Sequence, residues 1–390
     1  MADSSSSMDV DSSFLSSAAA SAPASLAPYY RRFGELHAKK LWYQLTLAVE
    51  EFLAHPDSAE PPRRIDVFEH FVKGFKDKIN QLRLVGMAVR AARQLQDPSE
   101  ARAFLEPLIP LVDTPATQEA FVTAKMELAH FQLLLGELDA TKESMYSCAK
   151  ILERFDAVEP LTHAAYYRVC GDYYKAKADY APYYRSSLLY LACIDITKDL
   201  TAEERTGRAH DLAISALLGD TIYNFGELLL HPILASLDGT PHAYLSTLLN
   251  SFNSGSIGSF ESLIPNLSAE PILAENQPFL RQKICLMALI ESVFRRNADE
   301  RTLPFATIAQ ETRLPEGEVE HLVMKALSLK LIKGTLDQHA QLARITWVQP
   351  RVLDRTQLKA LQERLDQWVD RVGKTAEFVK TETPELFVSA

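Results

Sequence analysis

The sequence predicts an all-α helical-repeat solenoid followed by a winged-helix module and a C-terminal helix. Three observations carry that reading. From residue 28 to residue 296, apolar residues recur at helical spacing in segment after segment, separated by short breaks. Thr302–Asp354 then changes period, with two short amphipathic runs followed by two β-prone segments around a polar turn. Beyond Thr356, the apolar residues fall into alternating three- and four-residue steps.

The chain has 390 residues, 47% of them apolar and 24% charged, enough for more than one domain with a sizeable core. Its net charge of -10 disfavours non-specific binding to nucleic acid or to anionic membranes. No apolar run reaches the length of a membrane span. No basic segment leads into an apolar one near the N-terminus, so no secretory signal is expected. Cys148, Cys170, Cys193 and Cys285 form no close pair and no metal-ligand spacing, and read as cytosolic thiols on helices. Without a secretory route, the glycosylation sequon Asn266-Leu267-Ser268 reads as chance.

Residues 1–27, rich in Ser and Ala, read as a disordered tail. Residues 28–296 read as tetratricopeptide-like helical repeats. Order is expected near Tyr29, with Leu36, Leu41, Leu45 and Val49 on one amphipathic helix that ends at His55-Pro56 and Glu60-Pro61-Pro62. Helices follow over 65–79 and 82–95. Asp97 is expected to cap the next, with Pro98 in its first turn, and Pro107 and Pro110 to end it. Further helices are expected over 117–135, 138–155, 161–178, 183–196, 203–218 and 224–229, with Gly136 as a turn. Residues 251–260 read as a loop entering a helix, and 279–294 as an apolar helix running directly into the winged helix. Eight tyrosines lie between Tyr166 and Tyr190, and fit either inter-helix packing or a concave protein-binding face.

Residues 297–354 read as the winged helix. Phe305, Ile308 and Ala309 share a face of its first run, and Val319, Leu322, Val323, Ala326 and Leu327 a face of the second. Strands are expected over 331–335 and 343–348, with Leu336–His339 as the wing loop. Across residues 300–350, six basic side chains balance six acidic ones, and Glu316, Glu318 and Glu320 open the helix that would enter a DNA groove. Carboxylates suit a helix N-terminus but repel phosphate, which favours docking to protein over DNA. The strand bearing Thr346, Trp347 and Val348 is expected to offer a pairing edge, with closure of the module's own core by Trp347 as the alternative. Residues 355–380 form the C-terminal helix. Its seam of Leu358, Leu361, Leu365, Trp368 and Val372 needs cover, either from its own domain or from helices of other chains. Residues 381–390 read as a flexible end.

No phosphate-binding glycine loop, His-Glu-x-x-His or nucleophile elbow is present, and Gly255 and Gly258 lack the context of a dinucleotide fingerprint. His163 and His210-Asp211 sit on expected helices and read as structural. The sequence therefore predicts no catalytic, cofactor-binding or metal site.

Helical repeats running into a winged helix resemble the PCI domain, shared by subunits of the proteasome lid, the COP9 signalosome and translation initiation factor 3. Four segments bring the resemblance close to the proteasome lid: Lys39-Lys40-Leu41-Trp42-Tyr43-Gln44-Leu45-Thr46-Leu47, Phe225-Gly226-Glu227-Leu228-Leu229-Leu230-His231-Pro232, Phe252-Asn253-Ser254-Gly255, and Thr346-Trp347-Val348-Gln349-Pro350-Arg351-Val352-Leu353-Asp354. The resemblance spans nearly the whole chain after the Ser/Ala tail. It implies a non-catalytic scaffold of the cytoplasm and nucleus. Winged helices of such subunits would stand side by side in an arc, and their C-terminal helices would join a shared bundle. It places this chain at one end of the arc, near another PCI subunit and the ubiquitin-receptor subunit, and leaves deubiquitination to another chain. A scaffold of the signalosome or of initiation factor 3 is the alternative, followed by a nucleic-acid-binding winged-helix regulator.

Overall fold

The computed structural model describes residues 14–155, 158–268, 270–296, 300–352 and 355–382. The chain forms two compact units, 1–201 and 202–390, which divide inside the helical stretch rather than at its end at 296.

The first unit is helical. Helix α1 spans 14–21. It is followed by α2 (Ala27–Ala38), α3 (Trp42–Ala54), α4 (Arg63–His70), α5 (Gln81–Ala92), α6 (Pro98–Leu105) and α7 (Ile109–Val112). Then come α8 (Gln118–Leu134), α9 (Leu138–Leu152), α10 (Pro160–Ala176), α11 (Tyr180–Cys193) and α12 (Ile196–Asp199). Neighbours pack in turn: α2 on α3, α8 on α9 and α10, and α10 on α11. Phe33, Phe52, Phe68, Phe71 and Phe75 are fully buried and make the N-terminal core, with Phe33 stacked on Phe71 at 5.7 Å.

Helix α1 corrects the reading of a disordered tail over 14–27, while residues 1–13 lie outside the described residues. Leu15 and Leu26 are buried in that core, and Phe14 meets the His70 ring at 5.2 Å. Alanine is the strongest helix former, and Ala18, Ala19 and Ala22 give this helix an apolar face against the core. The single helix expected across Leu36–Val49 is two helices, because Lys40 takes a left-handed conformation (φ 55°) and the Leu41 amide donates to Leu36 O at 3.1 Å. The same six-to-one closure recurs after α8, where Gly136 is left-handed and Glu137 N reaches Gln132 O at 2.9 Å. After α10, Ala178 is left-handed and Asp179 N reaches Tyr174 O at 3.0 Å.

Asp97 caps α6 as expected, its carboxylate accepting from Ser99 N at 2.9 Å. Pro107 and Pro110 do not end helical structure; they sit in the first turns of a 3-10 turn (Glu106–Leu108) and of α7, where a proline lacks no needed donor. The tyrosines of α10 and α11 are buried or half-buried, with Tyr166 and Tyr167 edge to face at 5.4 Å, which is the packing role. Burial pushes the neighbouring thiols of Cys148 and Cys170 up to about 11 and about 12. They are packed side chains, not nucleophiles.

The second unit holds α13 (Ala202–Leu218), α14 (Gly226–Leu230), α15 (Tyr244–Ser254), α16 (Ile257–Leu267), α17 (Pro271–Glu275) and α18 (Gln277–Arg295). The stretch 251–260, expected as a loop, is the end of one helix and the start of the next. Between α15 and α16 lies Gly255 at φ 65°, where a Cβ would stand 2.7 Å from Ala288 Cα of α18. The winged helix consists of β1 (Thr302–Pro304), α19 (Phe305–Thr312), α20 (Glu316–Ser328), β2 (Ile332–Asp337) and β3 (Leu342–Val348), in sheet order β1-β3-β2. Both pairings are antiparallel. Helix α18 packs on α19, α20 and β3 and so belongs to both the helical stretch and the winged helix. The direct junction expected at 297–299 lies outside the described residues. Helix α21 (Arg355–Glu382) follows the sheet.

Lys283 of α18 is buried, and its ammonium donates to the carbonyls of Ala216, Leu217 and Gly219 at 2.7–2.9 Å. These groups close the C-terminal end of α13, where a cation suits the helix dipole. The rings of Tyr223 and Phe225 lie 5.3–5.4 Å from the same nitrogen. Burial nevertheless pulls this ammonium down to about 7. From pH ~7 to ~10, the unfolded chain holds a proton that the folded chain has released, so stability should rise with pH over that window. Lys283→Met should lower stability by roughly 2–4 kcal/mol in urea melts and abolish that rise, because the three carbonyls lose their donor.

Candidate protein-docking surface

Three of the four segments singled out in the sequence meet in space. Phe225 and Phe252 are fully buried, with ring centroids 6.0 Å apart. Gly226 lies directly under Val352: a Cβ there would come within 2.5 Å of the valine. Arg351 reaches across to α15 and α18. Its guanidinium donates to the Asn253 carbonyl, to Asn253 Oδ1 at 3.1 Å and to the Glu291 carboxylate. The Arg351 and Glu291 side chains are only 7% and 10% exposed. Burial lowers the Arg351 pKa, and the Glu291 charge opposes that shift. Glu291 also accepts from Arg295 Nε at 3.0 Å. This clasp fixes where the chain leaves the sheet before α21. Leu353 and Asp354, which complete the segment, lie outside the described residues.

The stretch Thr346, Trp347 and Val348 has β2 on one side, while on the other β1 pairs only as far as Arg344 and leaves it without a strand partner among the described residues. It belongs to β3, the middle strand, paired with β2 along its length and with β1 over Leu342–Arg344. The sequence reading missed β1, which has only three residues. A register shift at Lys333/Gly334 leaves Thr346 as the extra residue of a bulge, its hydroxyl donating to Lys333 O at 3.2 Å. Gly334 is required there, since a Cβ would lie 2.1 Å from Arg344 O. Trp347 does not close the module's core either. It is 36% exposed, with the Lys333 ammonium 4.8 Å from its ring. Ala343 and Ile345 are the residues this strand buries. Trp347 thus stands on an open face of the wing, and the edge strands of the sheet are β1 and β2.

Helix α21 is the larger surface. Its 28 residues extend about 42 Å at 1.5 Å per residue. Leu358, Leu361, Leu365, Trp368 and Val372 are between 43% and 64% exposed. Every α21 side chain that the structure describes is exposed, so cover from the chain's own domain is not what the seam has. Val369 and Phe378, which the three-four spacing skips, are also exposed and widen the stripe. A contiguous apolar stripe of this kind marks a protein-interaction surface.

The face of α20 that would meet DNA carries Glu316 and Glu318, both exposed, and Gln338 of the wing loop donates to Glu320 at 3.1 Å. None of these groups favours phosphate.

Two sequence families account for most of the chain. PSD13 N-terminal repeats match residues 29–249 and the PCI domain matches residues 262–347. The chain is 41% identical to the probable 26S proteasome regulatory subunit rpn9 of Schizosaccharomyces pombe, over 97% of this chain and 98% of that one. It is 38% identical to 26S proteasome non-ATPase regulatory subunit 13 homolog A of Arabidopsis thaliana, over 93% and 95%. With the 26S proteasome regulatory subunit RPN9 of Saccharomyces cerevisiae the identity is 36%, over 93% and 95%.

Three outcomes follow from this geometry. Arg351→Ala should cost about 3 kcal/mol in denaturant melts, because it strands the buried Glu291 carboxylate. Asn253→Ala, which keeps the backbone acceptor, should cost no more than about 1 kcal/mol. In fluorescence anisotropy at physiological salt, the full chain should show no sequence-selective binding to duplex DNA.

Proposed function

The chain belongs to the family of 26S proteasome non-ATPase regulatory subunit 13, and on that premise we propose that it is a non-catalytic scaffold subunit of the proteasome lid. One observation supports this most: α21, about 42 Å long, carries an apolar seam along one helix, and every described side chain of that helix is exposed. A helix with such a seam completes its packing in a bundle with helices of other subunits. The wing supplies a second contact, through the open face at Trp347 and the free edge of β2. Its partners are other lid subunits, with the ubiquitin-receptor subunit as a further neighbour. Its place of work is the cytoplasm and nucleus, and its contribution to degradation of ubiquitylated proteins is architectural.

Leu365→Ala with Trp368→Ala separates this reading from a purely internal role for α21. Both side chains are exposed in the free subunit, so its melting temperature should hold, surface changes being worth within about 0.5 kcal/mol. Incorporation into co-expressed lid subunits should fall sharply, since each truncation in a packed seam costs about 2–5 kcal/mol. A folded double variant that assembles like the wild type would refute the bundle.

A further inference from the structure

His210, His242 and Glu270 are far apart in sequence and converge in the second unit. His210 comes from α13, His242 from the turn before α15, and Glu270 immediately precedes α17. Glu270 Oε1 lies 2.8 Å from His210 Nε2 and 3.4 Å from His242 Nδ1. The two imidazole rings are 4.4 Å apart. One ligand atom from each residue falls within 4.8 Å of the other two.

We propose that these three side chains form a binding site for a divalent transition metal ion, with Zn²⁺ as the best match. Two imidazole nitrogens and one carboxylate oxygen are a donor set that Zn²⁺ favours, at bond lengths of about 2.0–2.2 Å. Tetrahedral bonds of that length put ligand atoms about 3.3 Å apart, so binding opens the His210–Glu270 contact slightly and draws together the widest pair, which lies within 4.8 Å. The surroundings fit as well. The second ring nitrogen of His210, Nδ1, faces Asp211 Oδ1 at 3.6 Å, the outer-sphere carboxylate that commonly orients a metal-bound histidine. The site is half-buried, with side-chain exposures of 21%, 37% and 16% for His210, His242 and Glu270. Three protein ligands leave a fourth position for water. Tyr244, two residues beyond His242, lies in the field of the Glu270 carboxylate. It buries its hydroxyl oxygen without a hydrogen-bond partner among the described residues. Such an oxygen is suited to a metal-bound water. The role is structural: the ion ties α13, the turn before α15 and the start of α17 together.

The test uses the tag-free full chain, stripped with a chelator and titrated with ZnCl₂ by calorimetry and thermal melting. The wild type should bind one Zn²⁺ per chain and melt at a higher temperature when loaded. His242→Ala should abolish that event, and Asp211→Asn should weaken it about 10- to 100-fold. Cys193→Ser, which removes the only thiol that is not fully buried, should leave it unchanged. If His242→Ala lowers the fold's stability by itself, Glu270→Gln decides, since it keeps hydrogen-bonding capacity and removes the anionic ligand. Equal Zn²⁺ binding by wild type and Glu270→Gln would overturn the proposal, as would a wild type that retains no stoichiometric Zn²⁺ at micromolar concentration. In either case these residues form a hydrogen-bonded clasp only.

Discussion

The second unit depends on a buried arginine. After β3 the chain must leave a small sheet and enter a 28-residue helix with no core of its own, so the direction of exit decides where that helix goes. Arg351 fixes it by bridging Glu291 of α18 and Asn253 of α15. Taking both charges out of water costs several kcal/mol per ion, so the pair contributes little net stability. What it contributes is a single geometry: a planar guanidinium holds a carboxylate and a carbonyl in a fixed fork, which the rotatable ammonium of a lysine does not impose. The two glycines beside it serve the same end. Gly226 admits Val352, and Gly255 admits the α18 backbone, so α15 and α18 come close enough for one side chain to span them.

That rigidity makes sense of the exposed seam. Isolated helices are marginal in water, and most helical stability in proteins comes from packing an apolar face. Helix α21 has such a face and nothing among the described residues on it, whereas α18, also apolar, is buried along most of its length. The two helices differ in where their partners are. One is covered within the chain and forms the joint between helical stretch and winged helix. The other presents its apolar residues to another molecule.

Much of this was legible in the sequence where a local rule has one outcome. Asp97-Pro98 is a cap under any tertiary structure, and the spacing from Leu358 to Val372 can only be a stripe. Legibility failed where local chemistry was silent. The turn at Lys40 has the same closure as the one at Gly136 but no glycine to announce it, so two helices read as one. The alanines of 14–21 weighed as low complexity, although alanine favours helix and Phe14 and Leu15 supply the anchor. Strand β1 is too short to show alternation, and without it all of β3 looked like an edge. Of the metal-ligand candidates, His210 and Glu270 are 60 residues apart, and only the packing of α13 beside the start of α17 brings them together.

The winged helix shows how one scaffold loses a function that its shape permits. Nucleic-acid affinity rests on free cations facing phosphate. Here three of the six cations across residues 300–350 are engaged internally: Arg313 pairs with Glu261 at 2.7 Å, Lys325 bonds Gln282 at 2.6 Å, and Lys333 covers Trp347. The first two brace the winged helix against α16 and α18, and the third shields a tryptophan on the wing. The carboxylates at the start of α20 meanwhile suit the positive end of that helix. These charges have reasons within the fold, and the carboxylates at the start of α20 disfavour a polyanion there. Exposed apolar groups such as Trp347, Met324 and the α21 stripe gain free energy by contact with another protein surface.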